Sequence, residues 1–190
     1  AGPALSPAAS ACPAHVAPLP AAAARSMGSM PGPTSLHDLT ARLRVPDPYR
    51  ALTALAQEVT PGQTGPADRI VALAWATADL ERSMSAVPLP FKRSARDRLL
   101  HGTTAAVHYG PIALLLEQPL DPEEGRVTAY LSRYGEGVLA FFLERPRFLP
   151  PSRASARPPR PVHTPFGRRG WLLPHEWPWG PFVIALEVEL

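Results

Sequence analysis

The sequence contains little cysteine, few aromatic residues and no long apolar run. Because Cys12 is its single cysteine, an intrachain disulfide and a zinc site built from several cysteines are excluded. Aromatic residues make up 7% of the chain, the formal net charge is only +3, and no basic run alternates with aromatics, so a nucleic-acid partner is not expected. No apolar run approaches the roughly 20 residues that span a bilayer, and the first residues lack a basic stretch followed by an apolar core. We therefore expect a cytoplasmic protein without a membrane partner.

Proline is abundant, with 26 residues concentrated at two places in the chain. Residues 1–34 are rich in Ala and Pro and cannot bury enough apolar surface to offset the entropy of ordering, so we predict a disordered tail that acts as a docking segment or a spacer. Residues 145–165 form a Pro/Arg-rich loop, because prolines prevent a continuous helix there. Its arginines belong to a solvated linker or bind an anionic partner.

Two amphipathic helices are predicted within residues 35–62. Ser35 begins the first, with Asp38 as its capping-box partner three residues on, and its leucines are spaced for one face. This helix is predicted to end at Val45, before Pro46. Residues 49–59 form the second helix. The pair packs either on the main domain or on a partner chain.

Residues 63–190 indicate a single α+β domain with two related halves. An apolar run, RIVALAW, predicts a buried strand that is followed by a helix, and Gly110-Pro111 marks a hairpin turn. Strands are predicted at residues 69–75, 103–109, 112–118, 137–144, 166–173 and 182–190, and helices at residues 77–87 and 121–133.

Three motifs in this region resemble, in order, those of the vicinal oxygen chelate superfamily. They are DRIVALAWATADLERSM from Asp68, PLDPEEGRVTAYLSRYGEGVLAFFLE from Pro119, and GRRGWLLPHEWPWGPFVIALEVEL from Gly167. The superfamily includes glyoxalases, methylmalonyl-CoA epimerases, extradiol dioxygenases and bleomycin-resistance proteins. The resemblance covers residues 67–190 and implies paired βαβββ modules that form an open, cupped mixed sheet. In the second module, the Pro/Arg-rich loop replaces the helix, so the N-terminal helices or another subunit would have to cover that part of the sheet.

The resemblance also locates the positions that bind a metal ion in the metal-dependent members of the superfamily. These positions hold Arg69, then Leu114 or Leu115 (Glu117 if the strand is shifted), then Leu139, and last Ala185 or Glu187. A guanidinium has no lone pair to donate, and two carboxylates at most remain, so we expect no catalytic metal and no cofactor. Arg69 is instead expected to bind an anionic or carbonyl-bearing ligand on a cavity floor, or to form a salt bridge with Glu117 or Glu187.

Further candidates lie near turns. His108 is a general base if it points into the cavity, and otherwise a histidine at the rim of a hairpin. The loop LPHEWPWGP places aromatic residues where they either cap a flat apolar ligand or pack against the sheet. The candidate catalytic residues are His108, Glu117 and Glu187, and the candidate ligand-binding residues are Arg69, Tyr109, Leu139, His175, Trp177 and Trp179.

The resemblance implies a homodimeric protein that binds a small organic molecule in the sheet cavity, and it leaves open whether that protein is an enzyme. One alternative is metal-independent acid–base chemistry of the isomerase or lyase type. Another is a non-catalytic, ligand-sequestering protein of the bleomycin-resistance type, and a third is a degenerate half of a hydroxyphenylpyruvate-dioxygenase-like protein. A buried acid–base pair in the cavity would favour the enzyme, whereas an apolar, aromatic-walled cleft without such a pair would favour the binder.

Overall fold

Both predicted N-terminal helices are present, with side-chain caps at their first turns. The computed structural model describes residues 32–33, 35–145, 161–165, 167–174 and 178–187, so the predictions for residues 1–31 and for most of the Pro/Arg-rich loop lie outside the described residues. Helix α1 spans Leu36–Leu43, and the Ser35 hydroxyl accepts a hydrogen bond of 3.1 Å from the Asp38 N–H, as the capping box requires. Helix α2 spans Pro48–Val59, where a proline in the first turn costs no hydrogen bond.

The remaining elements form one eight-stranded mixed sheet with two more helices among the described residues. The strands are β1 Arg69–Ala76, β2 Lys92–Asp97, β3 Gly102–Tyr109, β4 Ile112–Pro119, β5 Gly137–Glu144, β6 Val162–His163, β7 Arg169–Leu172 and β8 Phe182–Leu186, and the helices are α3 Leu80–Ala86 and α4 Arg126–Tyr134. The predicted α+β class is therefore confirmed.

The strand order shows two related halves. Along the sheet the order is β2-β3-β4-β1-β5-β8-β7-β6, so β1 and β5 meet antiparallel at the centre and each half repeats the same arrangement outward. In both halves the first strand pairs parallel with the last, β1 with β4 and β5 with β8. This order confirms the predicted pair of βαβββ modules, although the described part of the second module contains no helix between β5 and β6.

The N-terminal helices cover one face of this sheet, called here the helix face. Leucines of α1 and α2 share one apolar cluster with β1, β4, β5 and β8, and α3 packs on the same cluster. Leu39 and Leu52 are 0% exposed. Because Val183 and Ala185 of the second module belong to this cluster, α1 and α2 cover apolar residues of the second module as well as of the first. Of the two placements considered for these helices, the main domain or a partner chain, the described residues show packing on the main domain.

Several predicted boundaries differ from the structure. Helix α1 ends at Leu43, two residues before the predicted end, and α4 begins at Arg126 rather than at residue 121. Strand β2, Lys92–Asp97, was not predicted, because KRSARD has no apolar alternation. Charged side chains of this kind are typical of an edge strand, where they oppose pairing with another chain. No helix among the described residues is long and apolar enough to cross a bilayer.

Candidate functional site

The face of the sheet opposite the helix face carries α4 and is called here the α4 face. Its apolar cluster contains alanines of β1, Leu115 of β4, Leu139 and Phe142 of β5, and Ile184 of β8. All of these side chains are buried. An apolar environment of this kind strongly shifts the pKa of any carboxyl group placed beside it.

The positions that correspond to metal ligands in the resembling superfamily do not fit a metal ion. Leu115 and Leu139 are 0% exposed within the apolar cluster, and Ala185 belongs to the cluster of the helix face. Arg69 is exposed and its guanidinium donates to the Tyr49 hydroxyl. Across the described residues, no three His, Cys, Asp or Glu side chains are grouped so that they could hold a metal ion.

Most of the predicted site residues do not come together. Arg69 forms an ion pair of 3.5 Å with Glu144, rather than lying on a cavity floor, and so the predicted pairing with Glu117 or Glu187 is wrong. His108 is exposed near the hairpin turn of β3 and β4. Glu187 is exposed just after β8 and lies 4.0 Å from Arg169. Strand alternation places Glu187 toward the helix face and Glu117 toward the α4 face, so the two carboxylates are separated by the sheet.

The predicted aromatic loop is only partly described. Trp179 is 40% exposed, and the Arg133 guanidinium lies 5.4 Å from the centre of its ring. His175 and Trp177 lie outside the described residues, as does the side chain of Tyr109.

Glu117 is the one predicted catalytic residue that lies buried in a polar arrangement. It is 0% exposed on β4, and its Oε1 accepts a hydrogen bond of 2.8 Å from the Thr104 hydroxyl of β3. Burial raises the pKa of Glu117 well above its ordinary value, and the negative charge of Asp97 raises it further, whereas the bond from Thr104 lowers it. These effects together favour the protonated form of Glu117.

Asp97 is a second buried carboxyl group on the same face. It ends β2, is 0% exposed, and its Oδ1 accepts bonds of 2.7 and 3.1 Å from the N–H groups of Leu99 and Leu100. Burial raises the pKa of Asp97, while those two N–H groups and the charges of His101 and Arg126 act in the opposite direction. The ionised form of Asp97 is thus stabilised by two backbone N–H groups and by nearby positive charge.

Gly102 makes the approach of these two carboxyl groups possible. In the register of the sheet, Asp97 is opposite Gly102 and Thr104 is opposite Glu117, so both acids project from one face on either side of the glycine. A Cβ atom at position 102 would lie 2.5 Å from Glu117 Oε2. Glu117 Oε2 therefore occupies space that any side chain at position 102 would need.

Two carboxyl oxygens at this place have no hydrogen-bond partner in the described part of the chain. They are Asp97 Oδ2 and Glu117 Oε2, both fully buried. Leaving a buried acceptor unpaired costs about 1–3 kcal/mol. Such atoms in a folded protein indicate a bound water or a ligand group that completes their hydrogen bonds.

A cleft opens directly above Asp97. Its volume is about 380 Å³, which lies in the range of small-molecule sites. The wall combines two cations, three acids, a histidine and one apolar side chain: Arg96, Asp97, Arg98, His101, Leu120, Asp121 and Glu124. Asp97 is the member of the acid pair that lines this cleft, although its side chain is 0% exposed.

Arg126, in the first turn of α4, binds the turn that follows Asp97. Its guanidinium donates a bond of 2.6 Å to the Leu99 carbonyl oxygen and lies 6.0 Å from the ring centre of Phe182 in the second module. The positive charge of Arg126 favours the ionised form of Asp97. The residue thus links the acid pair to the packing between the two modules.

Asp97, Gly102 and Arg126 were not predicted from the sequence. The single signal for Asp97 was an acid beside an unrecognised strand, and Gly102 lacked any turn signature. Their relation to Glu117 depends on the register of three strands, which the sequence does not display.

Comparisons with known proteins bear on the fold. No family model and no curated protein matches the chain. A hypothetical protein from Bacillus halodurans is 13% identical, with a TM-score of 0.49 over 65% of this chain and 96% of that chain. A methylmalonyl-CoA epimerase from Mycobacterium tuberculosis is 13% identical, with a TM-score of 0.48 over 64% of this chain and 88% of that chain. A Streptomyces coelicolor methylmalonyl-CoA epimerase variant is 15% identical, with a TM-score of 0.48 over 62% and 95%.

The strand order itself is more informative than these similarities. Two modules of one topology, joined through antiparallel β1 and β5, are what the sequence motifs imply. By that order and direction of its strands, the chain has the paired βαβββ fold of the vicinal oxygen chelate superfamily.

Proposed function

We propose that this protein binds a small carbonyl-bearing organic molecule in the cleft above Asp97 and transfers a proton to or from it without a metal ion. The observation that carries this proposal is the pair of unpartnered, buried oxygens, Asp97 Oδ2 and Glu117 Oε2. A buried acid–base pair beside a cleft is the feature expected of a metal-independent isomerase or lyase.

The two acids have different roles in this proposal. Asp97 is the general base, because its Oδ1 is held by two backbone N–H groups while Oδ2 remains free to accept a proton. A base whose pKa is raised toward the working pH is better suited to proton transfer than an ordinary aspartate. Glu117, protonated, donates a hydrogen bond to the carbonyl oxygen and stabilises the enolate that forms.

The test is hydrogen–deuterium exchange at carbon, followed by proton NMR. The protein is incubated in D₂O near neutral pD with butanone and, separately, with 2-oxobutanoate, and loss of the signal next to the carbonyl is timed against buffer. We expect acceleration by the protein, and a loss of roughly 10²-fold or more in Asp97→Asn, the range for removal of a general base. Glu58→Gln, which alters an exposed ion pair with Arg42 that is remote in sequence from the cleft, is the matched control.

Two results would decide against the proton-transfer part. One is exchange no faster than in buffer, and the other is equal acceleration by the wild type and Asp97→Asn. If the probes nevertheless shift amide signals of the cleft in a saturable way, the non-catalytic alternative of ligand sequestration replaces the enzyme.

A further inference from the structure

Two arginines line the cleft but have no role in the proposed proton transfer by Asp97 and Glu117. Arg96 and Arg98 both line its wall, at the end of β2 and in the turn that follows. Within the described part of the chain neither guanidinium lies within 4.0 Å of a carboxylate. By contrast, seven other arginines among the described residues have a carboxylate partner at 4.0 Å or less: Arg42, Arg69, Arg82, Arg93, Arg145, Arg168 and Arg169.

Acidic side chains on the same wall do not neutralise these arginines. Asp121 Oδ1 accepts bonds of 2.8 and 3.3 Å from the N–H groups of Glu123 and Glu124, which occupies it in its own turn. Glu124 lines the cleft as well, yet makes no ion pair with Arg96 or Arg98. Positive and negative groups thus line the same cleft without forming ion pairs with one another.

The buried floor supplies an independent indication of a ligand. Asp97 is 0% exposed, lines the cleft, and keeps Oδ2 without a partner in the described residues. A molecule that contacts Asp97 from this cleft therefore lies in a space that Arg96 and Arg98 also line. Planar guanidiniums bind carboxylates through two parallel hydrogen bonds, and this interaction orients as well as attracts.

We propose that Arg96 and Arg98 hold a single carboxylate group of the ligand, so that the site takes small monocarboxylates in preference to neutral compounds and to dianions. The preference over dianions follows from Asp121 and Glu124, whose charges repel a second negative charge in the same cleft. This inference rests on the proposed function for the location of the ligand in the cleft. It does not depend on proton transfer, because it concerns only how Arg96 and Arg98 bind the ligand.

The experiment is an NMR titration of the isotope-labelled protein with three probes of similar size. Propionate carries one carboxylate, methyl propionate is its neutral ester, and methylphosphonate at pH 8.5 is largely a dianion. We expect saturable shifts of the amides of residues 96–101 with propionate, at least fivefold weaker binding of methylphosphonate, and no saturation with methyl propionate.

The double variant Arg96→Gln and Arg98→Gln tests the assignment to these side chains. Both residues are exposed, so the fold is expected to remain, and the dispersion of the amide spectrum checks this. Propionate affinity should fall at least tenfold, whereas the control Arg42→Gln should leave it unchanged. Absence of saturation with propionate in the wild type, or unchanged affinity in the double variant, would overturn the inference.

The outcomes separate this inference from the proposed function. Binding of propionate that depends on Arg96 and Arg98, together with no exchange at carbon, would retain the recognition site and remove the catalytic role of Asp97. Exchange that depends on Asp97 but is equally fast for butanone and 2-oxobutanoate would retain the catalytic role of Asp97 and remove the carboxylate-recognition site.

Discussion

At the level of single residues, two carboxyl groups removed from solvent have pKa values shifted in opposite directions. Asp68 is neutralised, because Arg145 binds it through Nε at 2.8 Å and Nη2 at 2.7 Å, and the Gly65 N–H donates to it as well. Burial alone would raise the pKa of Asp68, but these hydrogen bonds and the charge of Arg145 lower it overall. Among the described residues Glu117 forms no ion pair, and burial favours its neutral form instead. An ion pair therefore favours the charged form of Asp68, whereas burial without an ion pair favours the neutral form of Glu117 at the candidate site.

The raised pKa of Glu117 predicts how stability changes with pH. The folded state keeps a proton that the unfolded state loses near the ordinary value of 4.5, so this contribution to stability is complete below that pH and is lost as the pH rises through the folded-state pKa. Urea unfolding at several pH values between 4.5 and 8 should show the free energy of unfolding decreasing with pH. In Glu117→Gln the decrease should be smaller by about 1.4 kcal/mol for each unit by which the pKa is raised.

The exposed Glu58→Gln provides the control for this measurement, because its carboxylate is paired with Arg42 at the surface. An identical pH dependence in the wild type and Glu117→Gln would show that folding does not raise the pKa of Glu117.

At the scale of elements, hydrogen bonds hold the junction between the modules. Glu136 Oε1 accepts bonds of 2.8 Å from the Thr77 hydroxyl and 2.9 Å from the Ala78 N–H, which joins the segment between α4 and β5 to the start of α3. A Cβ atom at Gly137 would lie 2.7 Å from the Tyr130 hydroxyl. The GEG motif at this junction was recognised in the sequence as a family resemblance, and the structure shows its role in packing.

Helix α2 provides the clearest prediction at this scale. Leu52 is 0% exposed and belongs to the cluster shared with the sheet, so Leu52→Ala should destabilise the protein by about 2–5 kcal/mol. Hydrogen exchange of β1 and β5 amides should accelerate accordingly, since α2 covers the face on which those strands pack. Val45→Ala, at a side chain 42% exposed, is the control. Faster exchange limited to α1 and α2 would mean that the helices are an independent unit.

At the scale of the whole molecule, the two modules join through the pairing of β1 with β5. The register runs from Arg69 opposite Glu144 to Ala76 opposite Gly137, across the centre of the sheet. Glu144 also accepts from Arg168 at 2.6 Å, which connects this seam to the second module. Neither module has a separate core, because both apolar clusters include strands of both halves.

This shared core predicts that neither half folds alone. A fragment of residues 32–134 would lack β5, leaving one edge of β1 without hydrogen bonds and the apolar residues around it exposed. We expect no cooperative unfolding transition by circular dichroism for this fragment, and recovery of one when residues 135–190 are added as a second chain. A cooperative transition for the first fragment alone would show that its module has a sufficient core of its own.

The sequence by itself determined the order and type of most elements, because apolar runs, caps and the Gly110-Pro111 turn act over a few residues. It also indicated the two related halves, through motifs that lie within single strands and helices. The placement of Glu117 and Asp97 on one face of the sheet beside Gly102 was set by tertiary structure, because it requires β2, β3 and β4 in one register. The exposure of Arg69, Glu187 and His108 was likewise decided by packing between distant segments, which is why the sequence named candidates for a site but did not assemble it.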